Sequence, residues 1–168
     1  MHSKHKYLIS KIFDCYQYAR LERIVRYWRF KDHDIAFTNG CFDVFHPGHA
    51  DYLARAADLA KVLIVGLNTD LSVQRLKGPE RPINSQSGRA IVLASLSFVD
   101  AVVLFNEDTP ERLIEKVRPD ILVKGSDYEA EEIAGADIVK QNNGTVHTLS
   151  FLEGYSTTTI IEKLKKAQ

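Results

Sequence analysis

A doubly wound α/β domain with a five-stranded parallel sheet, preceded by an N-terminal amphipathic helix, is the fold that this 168-residue sequence predicts. Three observations predict it. From residue 34 onward, short apolar runs alternate with stretches of helical periodicity. The apolar runs lack the polar alternation of a half-exposed sheet, so they read as strands buried on both faces. The first of them runs directly into a turn rich in glycine and histidine that opens a helix, the place where such sheets bind ligands.

The elements follow in order. Over residues 9–29, Ile9, Ile12, Phe13 and Tyr16, then Leu21, Ile24, Val25 and Trp28, recur at three- and four-residue steps, with Arg20, Arg23, Arg26 and Arg29 on other faces. This predicts an amphipathic helix, and residues 1–33 are read as a helical arm ahead of a domain over 34–168. Residues 35–38 form the first strand. Residues 48–60 are helical, with Tyr52, Leu53, Ala56, Ala57 and Ala60 on one side. Residues 62–67 are the second strand, 85–96 a helix and 101–105 the third strand. Residues 110–117 are helical, with Thr109 as N-cap and Pro110 at the first helical position. Residues 121–123 are the fourth strand, 133–142 a helix and 146–149 the fifth strand. Residues 156–166 close as a helix whose late lysines suit the negative end of its dipole. Together these make a Rossmann-like domain.

Composition bounds the function. Apolar residues at 45% and charged residues at 26% are ordinary for a globular domain with a real core. No apolar run is long enough to span a membrane, and the polar, basic first ten residues lack the apolar stretch of a secretory signal. A cytoplasmic protein with no membrane partner is expected. Cys15 and Cys41 make neither a disulfide framework nor a metal motif. The formal net charge is zero, which argues against a dedicated nucleic-acid partner. That zero is an average: eight Lys/Arg and three Asp/Glu in residues 1–33 precede an acidic remainder. The arm is read as a docking helix with a solvated basic face, and a polyanion or dimer contact is the alternative.

The chemistry is concentrated after the strands. The first strand leads into Thr38-Asn39-Gly40-Cys41-Phe42-Asp43-Val44-Phe45-His46-Pro47-Gly48-His49. A helix start offers unpaired N–H groups and partial positive charge to phosphate. Gly48 permits close approach, and two imidazoles can donate further N–H bonds. There is no G-x-x-x-x-G-K-[ST], G-x-G-x-x-G or H-E-x-x-H, which disfavours P-loop kinases, dinucleotide dehydrogenases and zincins.

The stretch 39–49 resembles the H-x-G-H signature of the cytidylyltransferase-like nucleotidyltransferases. Three further segments carry the resemblance over about residues 8–168: Gly66-Leu67-Asn68-Thr69-Asp70 with Leu76-Lys77-Gly78 and Arg81-Pro82-Ile83; Val123-Lys124-Gly125-Ser126-Asp127-Tyr128; and Gly154-Tyr155-Ser156-Thr157-Thr158-Thr159. They look most like the adenylyltransferases of that family that act on D-glycero-β-D-manno-heptose 1-phosphate. In many bacteria such a unit is fused behind a sugar kinase.

The resemblance implies in-line attack of a sugar phosphate oxygen on the α-phosphorus of ATP, with Mg²⁺ carried on the triphosphate and no metal cage in the protein. Its product, ADP-heptose, would feed lipopolysaccharide core or a related surface glycan. A homodimer and a separate heptose kinase are the partners implied. His46 and His49 would contact the ATP phosphates, with Lys77 reaching over from its loop. Ser156 and Thr157 would hold the β- and γ-phosphates, with ordinary N-capping as the alternative. Thr38, Asn39, Gly40, Cys41, Phe42, Gly48 and Tyr155 belong to the same nucleotide-binding segments. Arg89 is a second phosphate candidate or a surface arginine. Lys124, Gly125, Asp127 and Tyr128 would meet the adenine and ribose. Asp43 is a candidate for substrate hydroxyls or Mg²⁺, with a loop-capping carboxylate as the alternative. Asn68, Asp70 and Arg81 are sugar-side candidates, with an Asx turn as the alternative for the first two.

One departure discriminates within the family. Relatives that transfer a cytidylyl group to glycerol 3-phosphate carry an arginine five residues before the serine of the last motif, where this chain has Phe151. This favours heptose over glycerol. A glycerol-3-phosphate cytidylyltransferase remains the alternative, and a nucleotide-binding module without turnover the distant one.

Overall fold

The computed structural model describes residues 3–125 and 133–166. Asp127 and Tyr128 lie outside the described residues. The elements are α1 (Lys4–Ser10), β1 (Ile12–Phe13), α2 (Tyr18–Phe30), β2 (Ile35–Gly40), α3 (Pro47–Ala57), β3 (Val62–Asn68), α4 (Asp70–Lys77), α5 (Gln86–Ser95), β4 (Ala101–Phe105), α6 (Glu111–Val117), β5 (Ile121–Gly125), α7 (Ala136–Gln141), β6 (Thr145–Leu149) and α8 (Thr157–Lys166).

The sheet is parallel throughout, as the unalternated apolar runs predict, with strand order β1-β4-β3-β2-β5-β6. It has six strands rather than five. Successive residues of the central strands feed opposite faces, so two apolar layers form. Ile35, Phe37, Ile64, Val103 and Phe105 pack against Leu21 and Val25 of α2, Leu113, Ile114 and Val117 of α6, and Val139 of α7. Ala36, Leu63, Val65, Val102 and Leu104 pack against Tyr52, Leu53 and Ala56 of α3 and Ala90, Leu93 and Ala94 of α5. Helices on both faces are the doubly wound arrangement. The chain adds β3 and β4 on one side of β2 and then crosses to β5 on the other. The direction of winding therefore reverses beside β2, and a crevice opens at the carboxyl ends there.

The sixth strand comes from the arm. The single helix expected over residues 9–29 is instead α1, a turn into β1, and α2. The apolar steps slip phase between Tyr16 and Leu21, a gap of five, and the sheet edge takes the residues before the slip. Ile12 and Phe13 pair with Val102 and Val103 of β4, and Phe13 is 1% exposed. Lys11 fixes the approach: its ammonium donates to the carbonyls of Val99 at 2.7 Å and Leu96 at 3.3 Å, at the C-terminal end of α5. The arm is thus part of the core. At the other edge, β6 is largely exposed. The helix after β4 starts one residue later than expected. Pro110 is its N-cap, and the Thr109 hydroxyl donates to the Glu111 carboxylate instead of capping the backbone.

Candidate active site

A cavity of about 530 Å³ lies at the carboxyl ends of β2, β3 and β5. From the β2 loop it takes Asn39, Gly40, Cys41, Phe42 and Asp43; from α3, His49 and Tyr52; from β3 and α4, Asn68, Leu76 and Lys77; from β5, Lys124 and Gly125; and from the last loop and α8, Phe151 and Thr157. Segments that are far apart in sequence converge because each follows a strand of one parallel sheet.

The histidines sit at the N-terminus of α3. His46 is its N-cap and Pro47 its first residue, where the missing N–H costs nothing. The His46 Nδ1 accepts the His49 backbone N–H at 3.3 Å, so the ring proton lies on Nε2. The two rings stack at 3.8 Å and 18°. Gly48 makes the stack possible, since a Cβ there would lie 3.1 Å from the His46 ring and 3.3 Å from Tyr155 Cβ. Phe42, itself in the left-handed region at φ 44°, places its edge against the His49 ring at 5.2 Å. Burial lowers both histidines from their ordinary values. His49 falls furthest, to about 4, through burial first and then the charges of His46 and Lys77. At neutral pH the pair is neutral, and each imidazole is both an N–H donor and an acceptor. Among the described residues, the buried His49 Nδ1 and Asn39 Oδ1 have no hydrogen-bond partner, the state of polar atoms that await a ligand; Arg81 Nη2 makes no hydrogen bond either but is ion-paired with Asp43.

Beside the start of α3, Ser156 caps α8: its hydroxyl accepts the Thr159 N–H at 3.1 Å and pairs with the Thr159 hydroxyl at 2.8 Å. Thr157 enters the cavity and Tyr155 packs on Gly48. Two helix N-termini, those of α3 and α8, therefore border one cavity, each bringing unpaired N–H groups and partial positive charge.

Several candidates face elsewhere. The Thr38 hydroxyl is fully buried and shares a 2.8 Å bond with Tyr52 Oη. Arg89 is 2% exposed. Its guanidinium donates to Asp70 Oδ1 at 2.7 Å, the Cys41 carbonyl at 2.6 Å and the Asn84 carbonyl at 3.0 Å. Asp70 is therefore occupied too. Asn68 lines the cavity while its amide donates to Ser72 Oγ at 2.9 Å. Cys41 also lines it, with burial pushing its thiol up in spite of Lys77 and Arg89 nearby. Asp43 is 3% exposed. Burial alone would raise its carboxyl, but the Asn84 and Ile83 N–H groups and Arg81 together hold it below the usual carboxylate range.

Asp108, Thr109 and Pro110 line the cavity as well. They follow β4, so the rule of carboxyl-end loops points to them although no motif marks them. Tyr52 and Phe151 are further lining residues, their rings 5.7 Å apart. Among the described residues, no group of three or more His, Cys, Asp or Glu is placed to hold a metal ion, and no helix is long and apolar enough to cross a membrane.

Residues 37–163, which contain both histidines, Lys77 and the α8 start, match the cytidylyltransferase-like family. The chain belongs to that family. Its relatives include the bifunctional protein HldE of Campylobacter curvus, 59% identical over 133 residues, which is 79% of this chain and 28% of that protein. The HldE of Helicobacter pylori is 56% identical over 132 residues, again 79% and 28%, and that of Wolinella succinogenes is 50% identical over 145, or 86% and 30%. The chain thus spans less than a third of the length of these relatives. Among solved structures, a lipopolysaccharide core biosynthesis protein from Thermoplasma volcanium matches with a TM-score of 0.58 at 26% identity, covering 74% of this chain and 99% of that one. A pantoate-β-alanine ligase from Francisella tularensis, complexed with beta-gamma ATP and β-alanine, shares the fold at a TM-score of 0.57 and 16% identity, with 92% and 76% covered.

Proposed function

We propose that the chain transfers an adenylyl group from ATP to D-glycero-β-D-manno-heptose 1-phosphate, giving ADP-heptose and pyrophosphate. The observation that carries the chemistry is the stacked His46–His49 pair at a helix N-terminus, with His49 lining a cavity bordered by a second helix N-terminus and His46 packed against His49. A sugar phosphate is ionised at neutral pH and needs no strong general base. Catalysis is then positioning and stabilisation of charge that develops at the α-phosphate. A neutral imidazole donates a hydrogen bond to that charge without having to lose a proton first. Lys77 supplies positive charge from the α4 end, and the N–H groups and hydroxyls at the start of α8 suit the departing β- and γ-phosphates. Magnesium would enter on the triphosphate, as part of the substrate.

The heptose comes from the relatives. Identity of 50–59% to proteins named HldE, with Phe151 where the glycerol-specific members carry arginine, supports a heptose phosphate over glycerol 3-phosphate. Those relatives are bifunctional and this chain matches under a third of them, so it corresponds to one of their two activities. A sugar kinase is the reaction class that supplies the 1-phosphate. A cytoplasmic setting, small-molecule partners and a homodimer complete the reading.

The test is to supply ATP, Mg²⁺ and the sugar phosphate and follow pyrophosphate. Release is expected. No release, with a clear signal from CTP and glycerol 3-phosphate, overturns the assignment.

A further inference from the structure

The loop that carries the chain from Lys77 to α5 makes an unusual set of bonds. It has the sequence Gly78-Pro79-Glu80-Arg81-Pro82-Ile83-Asn84-Ser85. Gly78 stops α4 at φ 94°, with nothing within 4 Å of where a Cβ would sit. The loop is then seized by one carboxylate on another segment. Asp43 Oδ2 accepts from Arg81 Nε at 2.6 Å and from the Ile83 N–H at 2.9 Å, and Oδ1 accepts the Asn84 N–H at 2.9 Å. The Asn84 side-chain amide returns to the Asp43 carbonyl at 2.8 Å. Arg81 Nη2 lies 2.6 Å from the same carboxylate, with side-chain exposures of 18% and 1% for the two partners. Arg89 makes a second link between the two segments, bridging the Cys41 and Asn84 carbonyls.

Asp43 belongs to the cavity wall, but both its oxygens are occupied by the loop and its side chain is only 1% exposed, which disfavours a metal or sugar hydroxyl there. The sequence makes it a candidate for either. The geometry gives it another task. Asp43 and Cys41 belong to the segment that leads into His46 and His49, while residues 81–84 belong to the segment that leads out of Lys77. Locking the two together fixes the lysine end of the cavity relative to the histidine end.

We infer that Asp43 and Arg81 act as a positioning pair that holds the Lys77 loop against the histidine loop. Asp43 neither ligates Mg²⁺ nor contacts the sugar. The kinetic half of this inference rests on the activity proposed above; the structural half does not.

Three variants of the full chain test it: Asp43→Asn, Arg81→Gln and the double. Hydrogen exchange on the Ile83 and Asn84 amides needs no substrate. Both amides donate to Asp43, so they are expected to be protected in the parent, with exchange rising at least tenfold in both single variants. In the pyrophosphate assay each single is expected to lose roughly ten- to a hundredfold in kcat, with the Mg²⁺ concentration for half-maximal rate unchanged. The double is expected to be no slower than the slower single, because the pair acts as one unit. A several-fold rise in Mg²⁺ requirement for Asp43→Asn assigns it to the metal and overturns the inference. Losses that multiply in the double, or amides that stay protected in both singles, overturn it too. If Asp43→Asn does not fold, Arg81→Gln carries the exchange and Mg²⁺ readouts alone. A parent that turns over no sugar phosphate refutes the heptose assignment, while the exchange result still decides the pairing.

Discussion

Replacing His49 by Gln isolates the energetic consequence of burying an imidazole beside a second one. In the fold His49 titrates near 4; in the unfolded chain it titrates at about 6.5. The folded pKa is depressed, so protons bind the unfolded state preferentially in this window. The stability held by the neutral ring is present above pH 6.5 and is lost as the pH falls toward 4. Linkage over those two values gives a loss of about 2 kcal/mol between pH 7 and pH 5, rising to about 3 kcal/mol by pH 4. Glutamine does not titrate, so the variant lacks this slope. Urea denaturation of both proteins at pH 7, 6, 5 and 4 measures it. The stability difference between parent and variant should shift by about 2 kcal/mol from pH 7 to pH 5 in favour of the variant. Asp100, raised by burial, and Asp43, held low, titrate in both proteins and cancel. Any relief of His46 burial in the variant flattens the variant's own curve and adds to the difference. Parallel curves across the range would show that His49 is not held neutral by its surroundings, and the neutral-donor account of catalysis would go with it.

Other consequences are direct. His49→Ala should lower kcat by about 10²–10³, the usual loss for a donor aimed at developing charge, while the ATP dissociation constant moves far less; steady-state rates and calorimetry separate the two. Gly66→Ala puts a Cβ 2.8 Å from the Phe37 ring and should destabilise by about 1–3 kcal/mol in denaturant unfolding. Phe13→Ala removes a ring that is 1% exposed and should cost about 3–5 kcal/mol. A smaller loss in its denaturation curve would mean that the arm is an appendage rather than part of the core.

The central strands were legible in the sequence because a strand buried on both faces leaves a continuous apolar run, and Ile35 to Phe37 or Val62 to Leu67 are such runs. The H-x-G-H turn was legible because its position between strand and helix carries the chemistry along with the residue types. The arm was not. Ile12 and Phe13 fit a helical phase with Ile9 and Tyr16, and only the open edge of β4, a partner ninety residues away, makes them a strand. The two arginines were also beyond sequence. Nothing local distinguishes a guanidinium turned toward phosphate from one turned inward. What decides is the presence of Asp43 and Asp70, each placed by a different strand–helix junction. The loop after β4 was the reverse case, since Asp108 to Pro110 satisfied the carboxyl-end rule and drew no assignment.

The inward turn of Arg89 changes where positive charge is available to a triphosphate. Arg81 and Arg89 are neutralised by Asp43 and Asp70, so the field in the cavity rests on Lys77 and the starts of α3 and α8. A neutral chain can then bind a polyanion at one point, because helix ends contribute partial charge without adding to the net count. Arg89 and Lys77 should consequently fail in opposite ways. Arg89→Met takes a guanidinium that is 2% exposed away from two carbonyls and from Asp70, whose side chain is 33% exposed, and the carbonyls left unpaired should cost about 1–3 kcal/mol. Lys77→Met alters an exposed residue and should leave the unfolding midpoint within about 0.5 kcal/mol of the parent, while lowering the rate at every ATP concentration. Denaturation and pyrophosphate release on both variants make the comparison. An Arg89→Met protein as stable as the parent but slow would return Arg89 to the phosphates and make its bond to Asp70 incidental.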